Sequence, residues 1–519
     1  MEPNEKLVKR RLKWLGFCAG GLVLLLVVFA VEEHVRGRRG LNEHLSRLKA
    51  DGEVYVVAAL EPGHPPAEQN IFPDLTDIAG LLEPMVKHLD DAPPAWRFAA
   101  PGKQIVAWRL NQWGVKNNLT NDWSRLGPEL EEARELLDFL HFVARKPAYD
   151  SGFDYRRGFL AFQLGSLVKV RRPVEILRAA ALYELHGGHL DAAGADLCAM
   201  ARLAADQKPE PLVICQMVRD GCATLAFHAT WQALQAPGWN EAQLAALQAA
   251  WQGCDFARDM GLAMQMERAM TFDFFEQLKS SNDKLAFTLA QRDNKASVFG
   301  SPFPLPTRSS TLQWVHAPLW RIAWADQDEM RAMDRWQLVI QRERMARTNS
   351  WAALSSQSGA EDEPDFGLFA PMAGQERLGW YDRLRFAFSS DIFSVGDGQI
   401  RAAICAQTQQ QMAVTAIAIY RYRLQEGQFP ADLAALAPKY LSALPRDGMD
   451  GKILRYRLQP DGGFVLYSVG LDGKDDGGDS TPPGKDKKNY HQIWDGRDAV
   501  WPAAATEEEA LAAMKAAKD

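Results

Sequence analysis

Cysteine is scarce, positive charge is not in surplus and only one long apolar run occurs, and each shortage removes a class of protein. Six cysteines in 519 residues are too few for a disulfide framework. No CxxC pair exists, so a structural zinc site of the usual spacing is excluded. Lys and Arg number 59 against 66 Asp and Glu, a net charge of -7. That balance argues against nucleic acid as the main partner, because phosphate binding requires a basic surface. GxSxG, HExxH, P-loop and GxGxxG motifs are all missing. An acid pair for glycoside hydrolysis cannot be singled out among 66 carboxylates. What is present is 47% hydrophobic residues, which excludes a mainly disordered chain. At roughly 150 residues per domain, the length corresponds to about three units, each able to bury a core.

The one long apolar run is Trp14 to Val31, WLGFCAGGLVLLLVVFAV, without a charge. As a helix it measures about 27 Å, close to the roughly 30 Å hydrocarbon layer. Lys6, Lys9, Arg10, Arg11 and Lys13 precede it; Glu32 and Glu33, then Arg36, Arg38 and Arg39, follow it. The basic excess before the run predicts a cytoplasmic N-terminus and an exported bulk. The alternative is a cleaved signal peptide, since Val28-Phe29-Ala30 resembles a small-residue cleavage site. The length of the run favours an anchor, hence a single-pass protein with tail 1–13 and transmembrane helix 14–31. Cys18 lies in this span and leaves an odd number of cysteines outside it. Cys198, Cys215, Cys222 and Cys254 fall in helical patterns, where cysteine is a small buried hydrophobe; a disulfide among them stays open in an oxidising compartment.

Beyond the span, 32–125 reads as a mixed cap, with a short helix from Leu41, an Asp51-Gly52 break and a Pro-rich stretch. Residues 126–290 are the most regular. Leu130, Leu136, Leu137, Leu140 and Val143 recur mostly at steps of three and four. Further helical blocks run over Pro173–Leu185, Leu190–Ala205, Leu212–Leu234, Glu241–Trp251 and Phe256–Leu278, separated by Gly- or Pro-containing breaks. Short breaks between such helices predict an α-hairpin stack. ALYELHGGHLDAAGADL (Ala181–Leu197) resembles one tetratricopeptide-type hairpin, although no clean 34-residue period occurs. Residues 291–399 form a Pro- and Trp-rich connection containing one long helix, Leu319–Met345, and a loose polar loop, Asn349–Pro364. Trp320, Trp324 and Trp336 share helical spacing, which points to core rather than to a sugar-stacking platform.

From 400 to 503 the text changes. A helix runs to Gly427, a natural stop with Pro430 after it. Leu454, Tyr456 and Leu458 alternate with Arg455 and Arg457 in a half-buried strand, and Pro460-Asp461-Gly462-Gly463 turns the chain into a second strand, Phe464–Val469. A last helix occupies 504–519. The fold class expected is therefore mainly α with a C-terminal α+β unit.

YRYRLQEGQFPADLAALAPKYL, LPRDG, DGKILRYRL and VLYSVGLDGKDDGG resemble the globular part of the major pseudopilin of type II secretion, over roughly the last hundred residues. The resemblance implies a long helix, a small antiparallel sheet and a terminal loop that binds calcium. The chain departs from that family at its start: cleavage after Gly16 would put Gly21 where the family has glutamate, and a long insert separates the two helices. GEVYVVAAL, PPAEQNIF and the hairpin stack resemble large single-anchor proteins of planctomycete and verrucomicrobial bacteria, a likeness that implies an architecture and no activity.

In Gly470–Asp479, GLDGKDDGGD, the carboxylates of Asp472, Asp475, Asp476 and Asp479 stand close together, and a hard cation would relieve their repulsion. It is not an EF-hand, since the third position from Asp472 is Lys474 and the twelfth is Pro483. By analogy with the pseudopilin loop, Asp498 or Asp495 closes the site, so calcium is expected on Asp472, Asp476, Asp479 and Asp498. The competing account is a solvated acidic turn. His186-Gly-Gly-His189 lacks further ligands and reads as an exposed turn. The function expected is an anchored extracytoplasmic scaffold in the bacterial inner membrane, with protein partners, one membrane helix and no nucleic acid. A polysaccharide hydrolase of the envelope and a subunit of a secretion-like filament are the alternatives.

Overall fold

The computed structural model describes residues 3–114, 120–156, 158, 170–205, 210–281, 284–285, 316–358, 379–389, 396–460, 462–483 and 490–516. The expected span and the expected short helix after it are one continuous helix, α1 (Pro3–Ala50). No proline interrupts it, and beyond Val31 the buried positions Leu41, His44 and Leu48 recur at steps of three and four, so the second half is held by packing. It ends at the Asp51-Gly52 break, where Gly52 takes a left-handed φ of 76°. No residue of the apolar part is fully buried, only Phe29 and Ala30 at its end being partly covered, and α1 is long and apolar enough to cross a membrane.

Short α2 (Val57–Leu60) and α3 (Phe72–Met85) lead into the cap. There β1 (Phe98–Ala100) pairs antiparallel with β2 (Lys103–Gln104), and β3 (Gln112–Gly114) with β4 (Thr120–Asp122). The helical body follows: α4 (Trp123–Glu132), α5 (Arg134–Val143), α6 (Arg171–Gly187), α7 (Leu190–Ala205), α8 (Val213–Leu234), α9 (Glu241–Ala250) and α10 (Phe256–Ser280). Gly188, at φ 77°, ends α6 and lets α7 fold back on it. Asn240 caps α9 in a reciprocal box with Gln243, and Asp255 caps α10.

The long helix of the connection opens with a wide π turn, Trp320–Trp324, before α11 (Ala325–Thr348). Trp320, Trp324 and Trp336 are all buried. The stretch expected to be a loose loop contains α12 (Trp351–Ser358), with 359–364 outside the described residues. Its helix is held by docking rather than by its polar sequence: Trp351 Nε1 donates to Leu471 O at 3.1 Å and its backbone N–H to Gly448 O at 3.0 Å. Short α13 (Trp380–Arg385) precedes α14 (Asp397–Glu426), which stops at Gly427 in the left-handed region.

β5 (Arg455–Leu458), β6 (Phe464–Ser468) and β7 (Ala499–Val500) form the antiparallel C-terminal sheet, with Tyr456 opposite Leu466 and Tyr467 opposite Val500. β8 (Ala503–Ala504) runs parallel to β2 and returns the chain to the cap before α15 (Glu507–Ala516). The helical and α+β units share one core, running from Ile71 to Trp501. α14 lies against α8, α9 and α10 and buries fifteen of its side chains. All six cysteines are unpaired.

Candidate functional site

Polar side chains open to a ligand gather in the acidic loop and in a cleft among α5, α6 and α7. In the loop, the sequence signature turns out to be joinery. Asp447, from LPRDG, is fully buried and accepts from Ser468 Oγ at 2.7 Å, Val469 N–H at 3.0 Å and Met449 N–H at 2.9 Å. Burial pushes its carboxyl up against the pull of these donors. Ser-Val-Gly is thus tied to Arg-Asp-Gly across the unit. Gly470 must be glycine, because a Cβ there would lie 2.2 Å from Arg497 O at a φ of 71°.

The expected ligands are distributed as follows. Asp498 is buried, and the loop closes on it: its carboxylate accepts N–H groups of Asp476 at 3.3 Å, Gly478 at 2.6 Å and Asp479 at 3.1 Å. Burial raises its pKa, opposed by those three N–H groups. Asp472 is exposed and accepts its own turn's Lys474 N–H at 3.0 Å. Asp479 accepts Thr481 N–H at 2.9 Å and lies 3.6 Å from Arg497, which also stands 3.8 Å from Asp476. Asp475 accepts Tyr467 Oη–H at 3.0 Å and Arg455 at 3.3 Å.

Among the described residues, no three His, Cys, Asp or Glu side chains converge on a metal position. As placed, these carboxylates do not fit a calcium shell. A cation would have to displace the backbone N–H groups from Asp498 and the guanidinium groups from its neighbours. Their mutual repulsion is instead offset by Arg455, Arg497 and the peptide dipoles.

The cleft has a volume of about 370 Å³ including its mouth and is lined by Arg134, Asp138, His141, Glu184 and Asp196. His141 Nε2 shares a hydrogen bond with Asp196 Oδ1 at 2.7 Å. Arg134 donates to Glu184 Oε1 at 2.6 Å and to both oxygens of Glu131. His189 bonds Glu184 Oε2 at 2.8 Å. Asp196 and Glu184 are both buried, and burial pushes Asp196 up to about 6 although His141 pulls it down. A carboxyl titrating near neutrality beside an imidazole can hold and pass a proton.

The sequence marks each of these residues singly but not their pairing: Asp196 interrupts the buried stripe Ala193, Leu197, Met200, and His141 follows Leu140 on an apolar face. The two histidines flanking Gly187-Gly188 are exposed and separately engaged. His186 stacks on Trp123 at 4.9 Å and bonds Trp108 O at 2.8 Å, whereas His189 serves Glu184. No family model, curated protein or solved structure matches this chain.

Proposed function

We propose that the protein is a membrane-anchored scaffold of the bacterial envelope, with its N-terminus in the cytoplasm and its body outside. The observation carrying this is that α1 passes without a break from its unburied apolar stretch into the packed body. There Gln327 Nε2 donates to Glu33 O at 2.7 Å and to its side chain at 2.9 Å, and His44 meets Asp334 at 2.9 Å. A tether built into the core fixes the height and orientation of what it carries, as a scaffold requires. A filament role is disfavoured by α14, whose faces are taken by α8, α9 and α10 within the same chain. Crosslinking in native membranes tests the proposal: discrete adducts through the helical body support it, and a body that crosslinks to nothing overturns it.

A second function, hydrolysis of an envelope polysaccharide, is favoured by one observation, the buried Asp196 and Glu184 beside His141 in the cleft. Glu184 is held by Arg134 and His189 and Asp196 by His141, so neither acid is left free to act on a sugar. Glycan turnover by the purified full chain, abolished in Asp196→Asn, would establish the hydrolase instead.

A further inference from the structure

We infer that residues 316–324 and the helix Trp380–Arg385 form a second, non-spanning contact with the same bilayer, a foot seated at the boundary between lipid headgroups and acyl chains. The inference rests on α1 being a membrane anchor and adds a surface that the anchor does not itself provide.

Its height follows from helix register. α1 and α11 run in parallel and in step: Gly37 abuts Gln327, Gly40 abuts Met330, and His44 bonds Asp334, each pair at the same sequence offset. Stepping back along both helices at about 1.5 Å per residue, Ile322 falls level with Glu32 and Leu319 level with Phe29. Those levels straddle the end of the apolar run at Val31. The part of the chain leading into α11 therefore reaches the plane where the span leaves the hydrocarbon.

Ring contacts place α13 at the same end independently. Phe29 meets Trp324 edge-on at 6.3 Å, Trp324 meets Tyr381 at 5.7 Å, and Tyr381 meets Trp380 at 6.1 Å. His316 Nε2 bonds Leu384 O at 2.9 Å, fixing α13 beside the segment that leads into the π turn. At the outer edge of this ring chain Trp380 is 77% exposed, and Ile322 is 55% exposed.

A polar set stands beside the end of the span. Within about one turn of Phe29 on the body side, Glu33, Gln327 and Arg385 form a hydrogen-bonded set, with Arg385 Nε donating to Gln327 Oε1 at 2.6 Å. The foot carries Arg321, Asp382, Arg383 and Arg385 beside its rings, a mixture of charge and apolar surface that suits the headgroup boundary rather than the hydrocarbon. Tryptophan and tyrosine favour this boundary because an apolar ring carries a polar edge. An exposed Trp380 and Ile322 at that level fit lipid better than water.

The test uses the full chain in lipid nanodiscs with a photoreactive residue at one position at a time: Trp380→p-benzoylphenylalanine, with the same residue at Leu24 and at Leu338. Leu338 is equally exposed but stands roughly 24 Å farther along α11 than Ile322. Lipid adducts are read by mass spectrometry. Adducts at 24 and 380 but not at 338 are expected. Adducts at 24 without any at 380, or equal labelling at 338, overturn the foot while leaving the anchor in place. No adduct at 24 would bring down the anchor itself and the foot with it.

Discussion

Glu53 joins the end of the anchor helix to the body, and replacing it should be costly. Its carboxylate accepts Arg268 Nη2 at 2.9 Å, Arg344 Nη2 at 3.0 Å and Gln337 Nε2 at 3.2 Å, with a closer contact to Arg344 Nη1. Arg268 is fully buried. Burial pushes the Glu53 carboxyl up, but the hydrogen bonds from Arg344, Arg268 and Gln337 outweigh it and hold it at about 2, against an ordinary 4.5. At about 1.4 kcal/mol per pH unit, that depression corresponds to roughly 3 kcal/mol.

A carboxyl whose pKa is lower in the folded state stabilises the fold above its unfolded value. The stability it supplies is lost as pH falls from about 4.5 toward 2. Glu53→Gln should therefore lower the unfolding free energy by about 3 kcal/mol at neutral pH, because the Arg268 charge stays buried without a counter-charge. The assay is urea unfolding of the detergent-solubilised full chain, followed by tryptophan fluorescence. Replacing Glu53 and Arg268 together with Leu should recover part of the loss, since no fully buried lone charge then remains and Arg344 is part-exposed to water. A loss under about 1 kcal/mol for Glu53→Gln, or a double variant worse than the single, would refute the reasoning.

Three other outcomes follow from particular contacts. Burial pushes His228 down to about 3, so it is neutral in the fold; stability should fall below pH 6.5 by about 1.4 kcal/mol per unit, and His228→Asn should flatten that part of the pH profile. Asp447→Ala leaves three buried donors unpaired and should cost about 3 kcal/mol or more, whereas Ser468→Ala, which removes one bond, should cost about 1, both read by urea midpoint. Millimolar calcium or a chelator should leave the thermal midpoint of the full chain unchanged; a rise of several degrees with calcium would show that the acidic loop rearranges to bind it.

Much of the helical body was legible because its signals are local. Leu190–Ala205 is recovered as read, and Gly427 ends its helix as its lack of a Cβ suggests. The break at Asp51-Gly52 was also plain. What failed depended on partners distant in sequence. Residues 32–40, which join the span to the expected helix from Leu41, are unremarkable as text, and their helix is completed by α11 nearly three hundred residues later. α12 reads as a polar loop until Trp351 finds Leu471 and Gly448. The acidic loop shows the same limit at the level of chemistry. Four nearby aspartates suggest a cation, but whether their charge is met by a metal, by Arg497 or by backbone N–H groups is a matter of three-dimensional closure. The cleft was hidden for the opposite reason: one histidine and one aspartate on otherwise apolar stripes carry no spacing that marks them as a pair.

The proposed scaffold and its membrane foot both require α1 to tether a body lying outside the cytoplasm. Protease added to intact spheroplasts, with an epitope tag ahead of Met1 and another after Asp519, tests it most directly. The C-terminal tag should be lost while a fragment bearing the N-terminal tag and the span survives until lysis. Survival of both tags until the membrane is broken would contradict it.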